Sequence, residues 1–259
     1  MNTRRDSVLR LLGVERLQRR DAAAVTTGAT GALAMTGATA GPDQASAAGA
    51  GATAVAAQAR QALAPPVDPA TATLDWESLA RAVAACTRCG LHATRTQTVF
   101  GVGDRAAAWL VVGEAPGADE DLKGEPFVGR AGQLLNSMLR AAGLAREQVY
   151  IANVLKCRPP QNREPSPQEA GCCLPYLHRQ IALLQPRIIL CVGRIAAQNL
   201  LGVDTPLAKL RGRVHALAPL ATPVVVTYHP AYLLRSPGEK RKAWVDLEFA
   251  LEVAHGRSA

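Results

Sequence analysis

The sequence predicts an α/β fold in three layers: a central, mainly parallel four-stranded sheet with helices on both faces. Three observations carry that prediction. Short, wholly apolar runs alternate along the chain with stretches of helical spacing, each run has strand length, and the runs end at glycine or at a polar turn. Strands that alternate with helices form parallel sheets, and a sheet covered on both faces shows continuous apolar runs, not a two-residue alternation.

The elements follow in order. Residues 1–20 are basic with an apolar stripe (Val8, Leu9, Leu11, Leu12, Val14, Leu17) but hold no apolar run of signal-peptide or membrane-span length. They read as a short amphipathic segment able to dock a protein partner. Residues 21–72 are Ala, Gly, Thr and Pro with no aromatic side chain, too poor in large apolar groups to offset the entropy of ordering them, and are expected to be a disordered tether. The globular domain is placed at residues 73–256. Leu74–Cys86 has helical spacing, Ala107–Val112 reads as the first strand, Gly129–Ala142 as a helix and Val149–Leu155 as the second strand. After a Pro-rich loop, Cys157–Pro167, the capping box Ser166-Pro167-Gln168-Glu169 predicts a helix start, with Pro175 forcing a kink or restart. Arg187–Val192 is the third strand, Arg194–Leu201 a helix, Val224–Tyr228 the fourth strand, and Lys240–Val253 an amphipathic helix with Trp244, Leu247 and Leu251 on one face.

A net charge of +8 suits a polyanionic partner. Its placement says more than its size, because Lys123, Arg130, Lys156, Arg158, Arg163, Arg235, Lys240, Arg241 and Lys242 fall in or beside the motifs below. With no export signal or membrane span, the chain reads as a cytoplasmic monomer that contacts no membrane, and in a reducing compartment its six cysteines are not expected to form disulfides. Cys86-x-x-Cys89, Cys157 and Cys173 fit a metal site. From spacing alone zinc is at least as well supported as an iron–sulfur cluster, and Cys172 competes with Cys173 for the fourth place. Cys191, inside an apolar strand, reads as core.

Ligands of parallel sheets bind at the carboxyl ends of the strands. Three segments lie there: Gly113–Asp121 (GEAPGADED), Asn153, and His229–Arg235 (HPAYLLR). In the first, Gly113 and Gly117 make a tight turn whose amides can approach a phosphate or a developing anion, or form a plain loop; Glu114, Asp119, Glu120 and Asp121 can serve as base or merely solvate it. In the last, His229 can be catalytic or a satisfied structural histidine. Bulky apolar groups beside Arg235 suit either a DNA-distorting wedge or the core.

Gly113–Asp121, Lys123–Gln133 (KGEPFVGRAGQ), Asn153–Pro160 (NVLKCRPP) and His229–Arg235, in this order and interleaved with the cysteines, resemble family 4 uracil-DNA glycosylases, which are common in bacteria. The resemblance runs from about Leu74 to about Val253. It implies a compact α/β/α glycosylase fold and a structural [4Fe-4S] cluster on Cys86, Cys89, Cys157 and Cys173. It also implies uracil-containing DNA, single- or double-stranded, as partner, and hydrolysis of the N-glycosidic bond of deoxyuridine to leave an abasic site.

Under it, Phe127 stacks on the base and Asn153 reads its O4 and N3–H edge. His229, with amides near Gly113 and Gly117, stabilises charge on O2, Glu114 activates water, and Glu120 lies near C5. Leu233 fills the vacated stack while Arg235 holds the backbone. Better-known uracil glycosylases carry the water-activating Asp where this chain has Ala115, so that duty shifts to Glu114 or is shared. The related group that becomes covalently trapped on uracil-DNA carries a basic His-containing insert that is absent here. A rival of another class is a zinc-stabilised DNA-binding module.

Overall fold

The structure is a computed structural model that describes residues 68–219 and 221–256. The basic segment 1–20 and the expected tether as far as residue 67 lie outside the described residues. The last four residues of that expected tether form a one-turn helix, Pro69–Ala72, capped by Asp68, which also pairs with Arg88 at 2.6 Å.

The sheet is six-stranded and mixed, in the order β1-β3-β2-β4-β6-β5: β1 Val102–Gly103, β2 Trp109–Gly113, β3 Tyr150–Asn153, β4 Ile188–Val192, β5 His215–Leu217 and β6 Thr222–Thr227. The four expected strands are β2, β3, β4 and β6. They pair in parallel, and the expectation of four strands in all is corrected by two short edge strands, β1 antiparallel on β3 and β5 antiparallel on β6. The edge strands are missed because they are two and three residues long, partly exposed, and paired on one side only, so neither leaves an apolar run in the sequence.

Alternation along the central strands divides the core. Leu110, Val112, Ala152, Ile189, Cys191, Val224 and Val226 face one cluster, which the helices Pro167–Leu184 and Arg194–Leu201 cover. Val111, Ile151, Ile188, Leu190, Val192 and Val225 face the other, covered by Arg130–Ala141 and Lys240–Ala254. With both faces buried, the central strands have no reason to alternate polar and apolar residues.

The helix Pro167–Leu184 starts where the capping box predicts, with Ser166 accepting the Glu169 N–H at 3.2 Å. It does not restart at Pro175. A proline meets the carbonyl four residues back, here that of exposed Gly171, which has no side chain to add to the crowding. Among the described residues no helix is long and apolar enough to cross a membrane.

Candidate active site

Gly113 ends β2 and Asn153 ends β3, and the two are register partners. The strands stay joined past that point: Val154 N–H donates to the Gly113 carbonyl at 2.9 Å, and Leu155 N–H to that of Glu114 at 3.0 Å. His229 follows β6 and caps the helix Pro230–Arg235. The three carboxyl ends surround a pocket of about 420 Å³, lined by Glu114, Ala115, Pro116, Gly117, Glu120, Phe127, Ala131, Asn153, Pro159, Asn162, Arg163, His229, Ala231, Tyr232 and Arg235. Gly113 packs behind two of these residues: a Cβ there would lie 2.4 Å from Asn153 Oδ1 and 2.6 Å from Phe127 Cζ, so only glycine lets ring and amide come together.

Asn153 is 2 % exposed, and its Oδ1 is buried without a hydrogen-bond partner. An unsatisfied acceptor in such a place costs free energy unless something supplies a donor. The Phe127 and His229 rings lie 5.7 Å apart at 31°. Phe127 has φ +55°, an uncommon conformation for a non-glycine residue, and two features hold it. Arg146 donates to the carbonyls of Pro126 (2.6 Å) and Phe127 (3.3 Å), and Gly132 leaves room for the Phe127 carbonyl, which a Cβ would meet at 1.8 Å.

Glu114 is half-buried. Burial, then the neighbouring Glu164 carboxylate, push its pKa up to about 7, against the pull of Arg194. Burial, then the Arg235 cation, push His229 down to about 4, with Glu120 opposing. The ring is therefore neutral near pH 7, and its Nδ1 accepts the Ala231 N–H at 3.1 Å, which leaves the proton on Nε2. Glu120, grouped in the sequence reading with the catalytic residues, accepts three backbone N–H bonds, from Gly117 (3.1 Å), Val128 (2.9 Å) and Gly129 (3.1 Å). Its carboxylate clamps the GEAPG turn to the Phe127 segment.

Two expectations are corrected. Leu233, expected as the wedge, is 1 % exposed and packs in the core with Leu135 and Trp244; its neighbour Leu234, 36 % exposed, faces out, because successive helical residues point about 100° apart. Lys156, counted among the cations in or beside the motifs that suit a polyanionic partner, is buried and donates to the Asn153 carbonyl (2.9 Å) and to Gln180 Oε1 (2.6 Å). Arg163 lines the pocket but is held by both oxygens of Glu169, at 2.8 and 2.6 Å. Arg235 is exposed at the rim. Arg146 left no signal, since nothing local in the sequence ties it to Phe127; Gly132 lies in the Lys123–Gln133 motif with Phe127, but nothing there marks it as the place that receives the Phe127 carbonyl.

The Cys86, Cys89, Cys157 and Cys173 thiols sit within electrostatic reach of one another, and burial pushes Cys173 up to about 12. Arg95 binds this region together, donating to Cys157 Sγ at 3.0 Å and to the Cys86 and Ala84 carbonyls, each at 3.0 Å. Cys172 donates to the Arg88 carbonyl at 3.3 Å and also lies within electrostatic reach of Cys89. Among the described residues no three His, Cys, Asp or Glu side chains converge as ligands of one metal ion.

A mixed sheet with a pocket at the carboxyl ends of its parallel strands defines a class, and the comparisons with known proteins name it. The family model described as the uracil DNA glycosylase superfamily matches residues 100–248. Within that superfamily, the chain is 48% identical over 167 residues to a type-4 uracil-DNA glycosylase of Archaeoglobus fulgidus, which covers 62% of this chain and 84% of the relative. It is 41% identical over 180 residues to one of Pyrobaculum aerophilum (67% and 92%), and 32% identical over 149 residues to a type-5 uracil-DNA glycosylase of Thermus thermophilus (51% and 68%). The chain belongs to the type-4 uracil-DNA glycosylases.

Proposed function

We infer that the protein excises uracil from DNA by hydrolysing its N-glycosidic bond, leaving an abasic site for repair. Besides family membership, one observation carries this reading: the buried, unpartnered Asn153 Oδ1 at the floor of a pocket walled by Phe127 and His229. In the orientation found, that oxygen accepts uracil N3–H while the amide nitrogen donates to O4. Cytosine presents an acceptor and a donor in the reverse places, leaving buried groups unpaired, which discriminates strongly.

The base must leave the helix to reach Asn153. Leu234, an exposed apolar group of the His229–Arg235 segment, meets the gap, and Arg235 meets a phosphate. Phe127 packs on the extruded ring. As the glycosidic bond breaks, charge grows on O2, where His229 Nε2–H donates to it without transferring a proton, because the neutral ring is a weak acid. Glu114, ionised above about pH 7, orients or deprotonates the water that attacks the sugar and favours its developing positive charge. Glu120 acts through the backbone it clamps, as a positioning residue.

The four thiols gather within electrostatic reach of one another, which suits the iron–sulfur cluster that the resemblance to family 4 glycosylases implies. Cys86, Cys89, Cys157 and Cys173 would hold it. Bound there, a [4Fe-4S] cluster supplies a structural tie, fixing the start of the loop that carries Asn162 and Arg163 to the pocket.

The deciding experiment incubates full-length protein with a labelled oligonucleotide holding one deoxyuridine, single-stranded or paired, then cleaves abasic sites with alkali. Cleavage at the uracil, with none at thymine or cytosine, is expected; an intact strand refutes the activity. Brown protein with equal amounts of iron and acid-labile sulfide supports the cluster, and colourless protein containing zinc overturns it.

A further inference from the structure

A single exposed aromatic is ordinary on a protein surface. Tyr232 differs in how it is held. Its ring stacks on Tyr228, with centroids 5.3 Å apart and planes at 20°. The Arg211 guanidinium lies 4.2 Å from the Tyr228 ring centroid and donates to the Tyr228 hydroxyl at 3.1 Å. Arg211 is itself fixed by both oxygens of buried Asp246, at 2.7 and 2.9 Å, and Asp246 also accepts the Thr227 hydroxyl at 2.7 Å. The brace thus runs from the last residue of β6 and the helix Lys240–Ala254 outward to a tyrosine that is 37 % exposed and lines the mouth of the uracil pocket. Nothing in the fold of this region needs that stack to reach solvent, since Leu233 on the same helix already anchors it in the core.

We propose that Tyr232 is the platform of a second subsite, which stacks the nucleobase adjoining the extruded uracil. The proposal rests on the uracil-excision reading of the pocket. Two features favour a base as occupant over a protein side chain or a lipid. The platform is continuous with a pocket that takes a base, and Arg235, three residues along the same helix turn, sets a cation beside it for the phosphate joining the two nucleotides. A tyrosine held rigid before binding loses little entropy on stacking, and every base offers a face, so the subsite tolerates any neighbouring sequence and favours strands whose bases are already unpaired. It makes the enzyme's ground-state grip on single-stranded DNA depend on a residue outside the uracil pocket's base-reading set.

Single-turnover uracil release by the full-length protein from a single-stranded oligonucleotide tests this. Tyr232→Ala is expected to raise the half-saturating protein concentration about 10-fold, the weight of one base–aromatic stack, while the plateau rate falls less than about two-fold; Tyr232→Phe restores binding. The decisive arm uses oligonucleotides in which the nucleotide on the 5′ or the 3′ side of the deoxyuridine lacks its base. On one side the wild type loses about the same 10-fold, and Tyr232→Ala loses nothing further there. Losses that multiply on both sides, or wild-type binding by Tyr232→Ala, overturn the platform and leave uracil excision standing. A wild type that releases no uracil takes both readings down.

Discussion

The pH dependence of excision turns on Glu114. Burial and Glu164 hold its pKa at about 7, whereas His229 is neutral above about 4, so Glu114 alone sets the acidic limb of the rate of bond cleavage. If the carboxylate is the active form, about one-tenth of the protein is competent one unit below that pKa. The single-turnover rate should then fall about 10-fold between its plateau and pH of about 6, with a slope of one decade per unit below. DNA phosphates at the rim stabilise the protonated acid, so lowering the salt should move the limb upward. Glu114→Gln should lose about 10²-fold or more and lose the limb with it.

Stability moves in the opposite sense. A carboxyl raised from 4.5 to about 7 keeps in the folded state a proton that the unfolded chain releases, so its contribution is full below about pH 4.5 and is lost as pH rises through 7, about 3 kcal/mol in all. His229, lowered from 6.5 to about 4, binds fewer protons folded than unfolded and contributes a rise with pH across that window. Glu114→Gln should therefore be more stable than wild type above about pH 7, by chemical denaturation, while being nearly inactive. A flat rate profile from about pH 5.5 to 8, or a Glu114→Gln variant with full rate, would refute the assignment.

Other outcomes follow from single contacts. Gly113→Ala places a methyl inside the contact distance of Phe127 and Asn153, and should cost about 10²-fold in kcat/KM with the melting temperature nearly kept, as a shift of about 1 Å in the base-reading groups does. Leu233→Ala should lower stability by about 2–5 kcal/mol, measured by denaturant melts, whereas Leu234→Ala should leave the melt in place and slow excision from double-stranded DNA more than from single strands. The reverse pattern would restore Leu233 as the wedge. Arg146→Ala frees the Pro126 and Phe127 carbonyls and should raise KM about 10-fold, with Arg146→Lys recovering part of it; equal kinetics in all three proteins would deny the support of Phe127 from behind.

The four central strands, the helices beside them and the convergence of three motifs on one sheet edge were legible because a doubly covered parallel sheet writes itself as apolar runs. Trp109–Gly113, Ile188–Val192 and Thr222–Thr227 lie within a residue or two of where those runs put them. What could not be read depended on a neighbour distant in sequence or on the phase of a short helix. Leu233 and Leu234 are the same residue type one position apart, and only the helix Pro230–Arg235 decides that the first faces Leu135 and Trp244. Lys156 and Arg163 count as positive charges in the sequence, but Gln180 and Glu169 commit them elsewhere, so the charge offered to DNA is smaller and more local than the total suggests.

The division of labour inside GEAPGADED shows the same limit and how geometry lifts it. Four carboxylates stand within eight residues of that stretch, and composition treats them alike. Asp121 is buried and accepts the Thr96 N–H, at 3.0 Å to each oxygen; Glu120 is taken by three amides; Asp119 lies against Gly129, whose added Cβ would come within 2.5 Å of it. Asp121 and Glu120 are thus occupied in holding backbone, and Asp119 lies outside the residues that line the pocket. Glu114 has no such tie among the hydrogen bonds of the site, lines the pocket, and stands where burial raises its pKa into the range of a working base. Ala115 beside it packs partly against the core, so a carboxylate at that position would exchange apolar contact for desolvation, whereas Glu114 reaches the pocket without that cost. Hydrogen-bond partners and place in the pocket together thus favour Glu114 as the proposed water-activating carboxylate.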